Sequence, residues 1–277
     1  MKLKKLRQVY RILVPLQQTK EQQFENLLRS NSLITHFAKK GLRYVVKVAN
    51  SFTVLMRNHE HSDYEVFKQI FNFKEYDTVL KMMNMNSNFQ KEKIIIDAGA
   101  NVGYTSVFFS QYLEDVKIYG IEPSISNFEM YEQNVNFLSN SQVVTMYNRA
   151  LSEKKYSSYT IEREYGDKRD WAITTKEDKG GEIKGITINE IISENNLEYI
   201  SLLKIDIEGA ERFIFKKGQD VSFLNITQMI AVEIHDEFNI RDEIYAILRS
   251  NGFFLFEVSE TTIGLNKNIF SNDRVEY

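Results

Sequence analysis

The run Ile94-Ile95-Ile96, followed by Asp97 and then Gly99-Ala100-Asn101-Val102-Gly103, constrains this chain more than any other stretch. Three consecutive β-branched residues bounded by a turn signal read as a central parallel strand covered on both faces, which sets Asp97 at the strand's carboxyl end. Gly99 and Gly103 tolerate positive φ and let the backbone pass close to a ligand, and Asn101 is the non-glycine type that best tolerates left-handed geometry. Val102, Val107, Phe108, Tyr112 and Leu113 continue at helical spacing. The turn therefore opens a helix whose first amides point at whatever the loop holds. Open α/β sheets bind ligands in this crevice.

A dinucleotide fingerprint needs Gly-x-Gly-x-x-Gly, whereas here the order is Gly99-x-Asn101-x-Gly103 with Asp97 in front, which argues against NAD. The next apolar run, Val116 to Ile121, ends in Glu122, 25 residues after Asp97. A carboxylate there can accept both hydroxyls of a ribose. Two acids at adjacent strand ends suit an adenosine ligand that lacks phosphates.

A second apolar strand delivers an acidic turn in Leu202-Leu203-Lys204-Ile205-Asp206-Ile207-Glu208-Gly209-Ala210-Glu211. Together with IIIDAGANVGYTS at 94–106, IEP at 121–123 and VEIH at 232–235, this block resembles the FkbM family of S-adenosylmethionine-dependent methyltransferases over roughly residues 60–258. The resemblance implies that Asp97, Gly99, Asn101 and Gly103 cradle the amino-acid part of S-adenosylmethionine and that Glu122 holds its ribose. It sets the adenine near Asn148, Arg149 and Ala150, after the third strand at Val143 to Tyr147. The family pattern also has an acid and an aromatic ahead of the glycine turn, matched here by Asp63 and Tyr76; a helix N-cap and a core tyrosine are the competing roles.

Past the glycine turn the chain alternates strand and helix: Val116 to Ile121, Phe128 to Leu138, Val143 to Tyr147, Ile188 to Ile192, Leu202 to Ile207, Met229 to Ile234, Arg241 to Leu248 and Phe253 to Val258. That alternation predicts an α/β fold, a Rossmann-like doubly wound mixed sheet of the class I methyltransferase type. Ahead of it, residues 42–57 alternate about Ala49-Asn50-Ser51 as an antiparallel hairpin. The expected organisation is an N-terminal helical and hairpin extension over 1–60 and a catalytic domain over 61–277.

A net charge of −3, from 35 basic and 38 acidic residues, gives no field to attract nucleic acid. The absence of cysteine excludes disulfides, thiol nucleophiles and cysteine metal sites. Lys2, Lys4, Lys5, Arg7 and Arg11 precede Ile12-Leu13-Val14-Pro15-Leu16, but Arg11 interrupts the apolar stretch and no small-residue cleavage site follows. These features predict helices and no export signal, and no segment reaches the ~20 apolar residues of a membrane span. The basic N-terminus is a candidate for peripheral membrane or partner contact, and the cytoplasm, where the cofactor is made, is the expected compartment.

Between the third strand and the acidic turn lies a polar stretch, Ser152 to Gly185. It carries Tyr156, Tyr159, Arg163, Tyr165, Lys168, Arg169, Asp170 and the only tryptophan, Trp171, with a strand hinted at Ser158 to Glu162. Rings interleaved with charges suit a sugar face or another flat polar acceptor. Methyl transfer to a hydroxyl needs a base within hydrogen-bond reach. Asp206, Glu208, Glu233 and His235 are the candidates, with His235 preferred for its near-neutral pKa and Glu211 read as neutralising a helix N-terminus. Asp206, Glu233 and His235 would also suit a divalent ion that acidifies the hydroxyl, although the metal-free base is the preferred reading. The expected function is O-methylation of a small-molecule or glycan-like acceptor. The alternative is a cofactor-binding, non-catalytic module that regulates or scaffolds a biosynthetic partner, with a nicotinamide dehydrogenase third.

Overall fold

The computed structural model describes residues 18–49, 52–85, 91–138, 143–162 and 174–270, together with Phe89. The basic N-terminal segment, Asn50 and Ser51 of the hairpin turn, and Arg163, Tyr165, Lys168, Arg169, Asp170 and Trp171 lie outside the described residues.

The first element among the described residues is helix α1 (Lys20–Ser30), where Thr19 and Gln22 form a reciprocal capping box. Strands β1 (Ile34–Lys40), β2 (Arg43–Val48) and β3 (Phe52–Arg57) then pair antiparallel in that order. The predicted hairpin is β2–β3; β1 is an addition, mostly exposed and poorly alternating, so that no buried face announces it. A short helix α2 (Asp63–Phe67) runs into a π-helical turn, Lys68–Asn72, and helix α3 (Asp77–Met85) leads into the main sheet.

That sheet is built from β4 (Lys93–Ala98), β5 (Val116–Ile121), β6 (Val144–Tyr147), and later β11 (Ile200–Ile205), β12 (Thr227–Glu233), β13 (Phe253–Val258) and β14 (Thr261–Asn266). Its order is β13-β14-β12-β11-β4-β5-β6, parallel except for β14, which runs antiparallel to both neighbours. Strand β14 was not among the sequence expectations and is what makes the sheet mixed. Helices α4 (Tyr104–Tyr112) and α5 (Ile125–Val135) cover one face, while α6 (Ile188–Asn195) and α8 (Arg241–Ser250) cover the other; the one-turn helix α7 (Glu211–Ile214) follows β11.

Period-two alternation divides the strands between two cores. Ile95, Ile118, Leu202 and Met229 join α4, α5 and the N-terminal sheet, whereas Ile94, Ile96, Leu203, Ile205, Ile230 and Val232 join α6 and α8. Residues on both sides of position 60 share the first core: Phe71 packs on Phe52 and Tyr104, and the Tyr104 hydroxyl donates to the Leu55 carbonyl at 2.6 Å. Asp97, Lys204 and Glu233 keep the parity of Ile95, Leu202 and Met229, so the charged strand ends emerge together on the N-terminal side of the sheet. Between β6 and α6 the polar stretch forms a third sheet from β7 (Ala150–Leu151), β8 (Ser158–Glu162), β9 (Thr174–Glu177) and β10 (Ile183–Ile186), ordered β7-β10-β8-β9. No helix among the described residues is long and apolar enough to cross a membrane.

Candidate functional site

The loops after β4, β5, β11 and β12 enclose a cavity of about 280 Å³, near the lower end of small-molecule sites. At its β4 side, Gly99, Asn101 and Gly103 all take positive φ, of 81°, 52° and 83°. The two glycines are required by packing more than by a ligand. A Cβ on Gly99 would lie 1.7 Å from the Asp206 carbonyl oxygen, and one on Gly103 would lie 2.1 Å from the Tyr131 ring. Gly99 and Asn101 line the cavity; Gly103 stands behind it as the N-cap of α4.

Glu122, just past β5, is 4% exposed and lines the cavity. Its Oε2 accepts the Asn101 amide at 2.9 Å and its Oε1 accepts the Ser124 amide at 2.8 Å. Burial pushes this carboxyl up to about 7, against the opposing pull of those amides and of Lys204. The side chain is thus aimed into the cavity by two main-chain amides, with the Asn127 side chain hydrogen-bonded to it as well. Asn148 does not reach this cavity: it fastens the same turn from behind, its Nδ2 donating to the Glu122 carbonyl at 2.9 Å. Ala150 and the buried Tyr76 are part of the wall, Tyr76 with its ring also against Phe109. Asp63 is elsewhere. It is 1% exposed and ion-paired to Arg57, whose Nη2 lies 2.6 Å from its Oδ1, and that same Nη2 donates to Asn127 Oδ1 at 2.9 Å. Asp63 therefore ties β3 to α2, neither capping a helix nor lining the cavity.

Asp97 is also fully buried and outside the cavity lining. Its partner is Lys204, its cross-strand neighbour on β11: Nζ lies 3.2 Å from Asp97 Oδ1 and 3.6 Å from Asp206 Oδ2, and donates to the Gly99 carbonyl at 2.7 Å. Although burial opposes the ammonium, Asp97 and Asp206 hold its pKa above the ordinary lysine value. Asp97 thus supports the glycine turn through Lys204. Sequence reasoning passed over this lysine; its signal was a charge inside an apolar strand, tolerated only when paired.

At the opposite wall, Glu75, Asp206, Glu208, Glu233 and His235 converge. Glu208 sits at φ 55° and Gly209 at φ 87°, a consecutive left-handed pair that turns the Glu208 side chain back over the strand ends. A non-glycine residue held there stores backbone strain. His235 is clamped: its Nδ1 lies 2.8 Å from Glu211 Oε1 and its Nε2 lies 3.3 Å from Glu208 Oε2, while Glu211 also accepts the His235 amide at 3.0 Å. Burial works against the charged ring, but the bonds to Glu208 and Glu211 push its pKa up to about 11. The free imidazole expected of a near-neutral base is therefore an imidazolium between two carboxylates. Glu211, read from sequence as a helix-terminus charge, is fully buried and is one jaw of that clamp.

Burial, reinforced by Asp206, pushes the Glu233 carboxyl up to about 8; burial and Asp206 likewise raise Glu75, and burial raises Glu208 against the His235 bond. Among the described residues, the acid and histidine atoms that gather within 4.8 Å belong to Asp206, Glu208 and His235, so Glu208 stands where Glu233 was expected in the metal set.

The sequence model of the methyltransferase FkbM domain matches residues 97–255, more than half of the 277-residue chain. The chain belongs to the FkbM methyltransferase family. Methyltransferase sdnD of Sordaria araneosa is 26% identical over 218 residues, covering 68% of this chain and 81% of that protein. The 31-O-demethyl-FK506 methyltransferase FkbM of Streptomyces tacrolimicus is 23% identical over 188 residues, covering 58% of this chain and 72% of its own. Among solved structures, methyltransferase FkbM from Methylobacillus flagellatus KT matches at 14% identity and a TM-score of 0.39, covering 64% of this chain and 44% of that one.

Proposed function

We propose that this chain transfers a methyl group from S-adenosylmethionine to a hydroxyl of a small-molecule or glycan-like acceptor, with residues 61–277 as the catalytic domain behind an extension over 1–60. The observation that carries the reading is the single cavity whose one wall is the buried Glu122 carboxylate and whose other wall is the acid-rich group Glu75, Asp206, Glu208 and Glu233. That donor set fits the cofactor: a carboxylate aimed by two amides suits paired ribose hydroxyls, and a wall of acids suits a ligand carrying a sulfonium and an ammonium.

In this reading Glu122 accepts the ribose hydroxyls, the Gly99–Asn101 turn borders the amino-acid part, and Tyr76 and Ala150 close the apolar side. When bound, the cofactor supplies the reactive methyl, displaced in line from sulfur. The acceptor hydroxyl, whose pKa lies far above neutrality, must lose its proton as the bond to carbon forms. Glu208 takes that proton on its carboxylate. Burial has already raised its affinity for one, and the strained turn fixes its direction. His235 is the positioning residue that holds Glu208 through Nε2, and Asp206, kept in place by Lys204, orients the acceptor. The clamp on both ring nitrogens argues against His235 as a metal ligand, since ligation requires a neutral ring with a free nitrogen.

Calorimetry with S-adenosylhomocysteine, followed by transfer of labelled methyl to a panel of hydroxylated acceptors, tests the reading. Binding of S-adenosylhomocysteine and label recovered as an ether are expected; tighter binding of NAD, or label recovered only on nitrogen or carbon, would overturn it.

A further inference from the structure

Beside the cavity just described lies a second one of about 350 Å³, sharing Leu151, Thr175 and Ala210 with it. Its lining combines three aromatic rings, Tyr159, Phe213 and Phe238, with the guanidinium of Arg212. Arg212 Cζ stands 3.8 Å from the centroid of the Phe238 ring and 4.7 Å from that of Phe213. A guanidinium that stacks on rings keeps its in-plane N–H donors unspent. Among the described residues no carboxylate or carbonyl is bonded to them, and the two acids in the lining, Glu153 and Glu177, both lie within ion-pair distance of Lys154. Phe238 in turn lies directly on Gly209, where a Cβ would approach its Cε2 to 2.2 Å. The ring that carries Arg212 is therefore the neighbour of Glu208, one residue from Gly209.

We infer that this cavity is the acceptor subsite, and that the acceptor is a ring compound bearing a carboxylate, its ring laid against Phe213 and Tyr159 and its carboxylate paired in the fork of Arg212. The inference rests on the methyltransferase reading above and names the substrate class for the same site. Planar bidentate pairing favours a carboxylate or another oxyanion over a neutral group, because the fork matches two coplanar oxygens. The acids Glu153 and Glu177 are offset by Lys176 in the same lining and by Lys154 at ion-pair distance, which leaves Arg212 to be balanced by one negative charge and favours a monoanion over a doubly charged phosphate. Leu151, Thr175 and Ala210 line both cavities, so the subsite directly adjoins the space in front of Glu208.

The test uses the full chain and pairs of probes that differ only in charge: benzoate against benzamide, and methyl glucuronide against methyl glucoside, with phenyl phosphate as a third anion. Ligand-observed NMR is run with and without saturating S-adenosylhomocysteine. The expected result is that the carboxylate of at least one pair binds about 10-fold more tightly than its neutral partner. The carboxylates should also bind more tightly than phenyl phosphate. That preference should vanish in Arg212→Gln and be partly kept in Arg212→Lys, which retains the charge and loses the fork. Equal binding of charged and neutral probes by the unaltered chain, or an undiminished preference in a folded Arg212→Gln, would overturn the subsite; the first outcome requires no variant to fold. Tighter phenyl phosphate would overturn the carboxylate assignment. Failure of S-adenosylhomocysteine to bind would instead overturn the cofactor reading, while the comparison run without it still decides the subsite.

Discussion

Two carboxylates face each other across the cavity, and they are held in opposite ways. Glu122 is fixed chiefly by the amides of Asn101 and Ser124, both main-chain donors, with the Asn127 side chain as a further contact, and its backbone is unstrained. Glu208 is presented from a left-handed turn and held by the side chain of His235, which Glu211 holds in turn. A group fixed by main chain cannot be moved without refolding its turn, which suits binding a ligand whose shape does not vary. A group fixed by other side chains can be tuned in direction and proton affinity, which suits chemistry and costs strain.

This contrast is broken most sharply at Glu208. Glu208→Gln keeps the shape and removes the proton acceptor, so the methylation rate at saturating acceptor should fall about 10²–10⁴-fold with S-adenosylhomocysteine affinity nearly intact. A rate near that of the unaltered chain would move the base to Glu233 or Asp206.

Next in size is the clamp. His235→Ala leaves Glu211 buried without its partner and should destabilise the fold by about 3–5 kcal/mol in denaturant titrations. The folded pKa of His235 lies above its unfolded value. Its stabilising contribution is therefore complete below pH about 6.5, shrinks as the pH rises, and is gone above pH about 11. A stability difference between variant and unaltered chain that stays flat from pH 7 to 10 would mean that the ring is not held as an imidazolium.

On the binding side, Glu122→Ala should weaken S-adenosylhomocysteine binding by about 1–3 kcal/mol. In the unaltered chain only the ionised carboxylate accepts both hydroxyls. Affinity should therefore rise as the pH passes about 7 and then level off, and Glu122→Gln should abolish the rise. The smallest expected effect is that of EDTA, which should leave the rate unchanged because both nitrogens of His235 are engaged with carboxylates. Loss of activity in EDTA and recovery with Mg²⁺ or Mn²⁺ would make the Asp206, Glu208 and His235 group a metal site.

The same contrast explains what could be read from the sequence. Val116 to Ile121 and Phe253 to Val258 are strands to the residue, because short apolar β-rich runs bounded by turn residues leave little choice. Glu122 was legible because its position follows from where β5 ends. Strand β14 was not: in Thr-Thr-Ile-Gly-Leu-Asn the glycine and asparagine interrupt a short β-branched run, and pairing with both β12 and β13 completes the strand. The clamp was equally hidden, since Glu211 and His235 stand 24 residues apart and meet only once β11 and β12 are paired. Asp63 was misassigned for the same reason. Its partner Arg57 lies on β3, whose place against α5 no local pattern announces.

That last pairing has a practical consequence for dissecting the molecule. Arg57 holds Asp63 and Asn127 through the same Nη2, and Asn127 lies on the wall of the cavity beside Glu122. A fragment cut at residue 61, or at residue 97 where the family match begins, would keep Glu122 and Asn127 and still lose the guanidinium that holds Asn127, which is itself bonded to Glu122. Expression trials that trim to the recognisable domain would then yield a protein that keeps these cavity residues and loses their support, and its silence in an assay would say nothing about the chemistry of the whole.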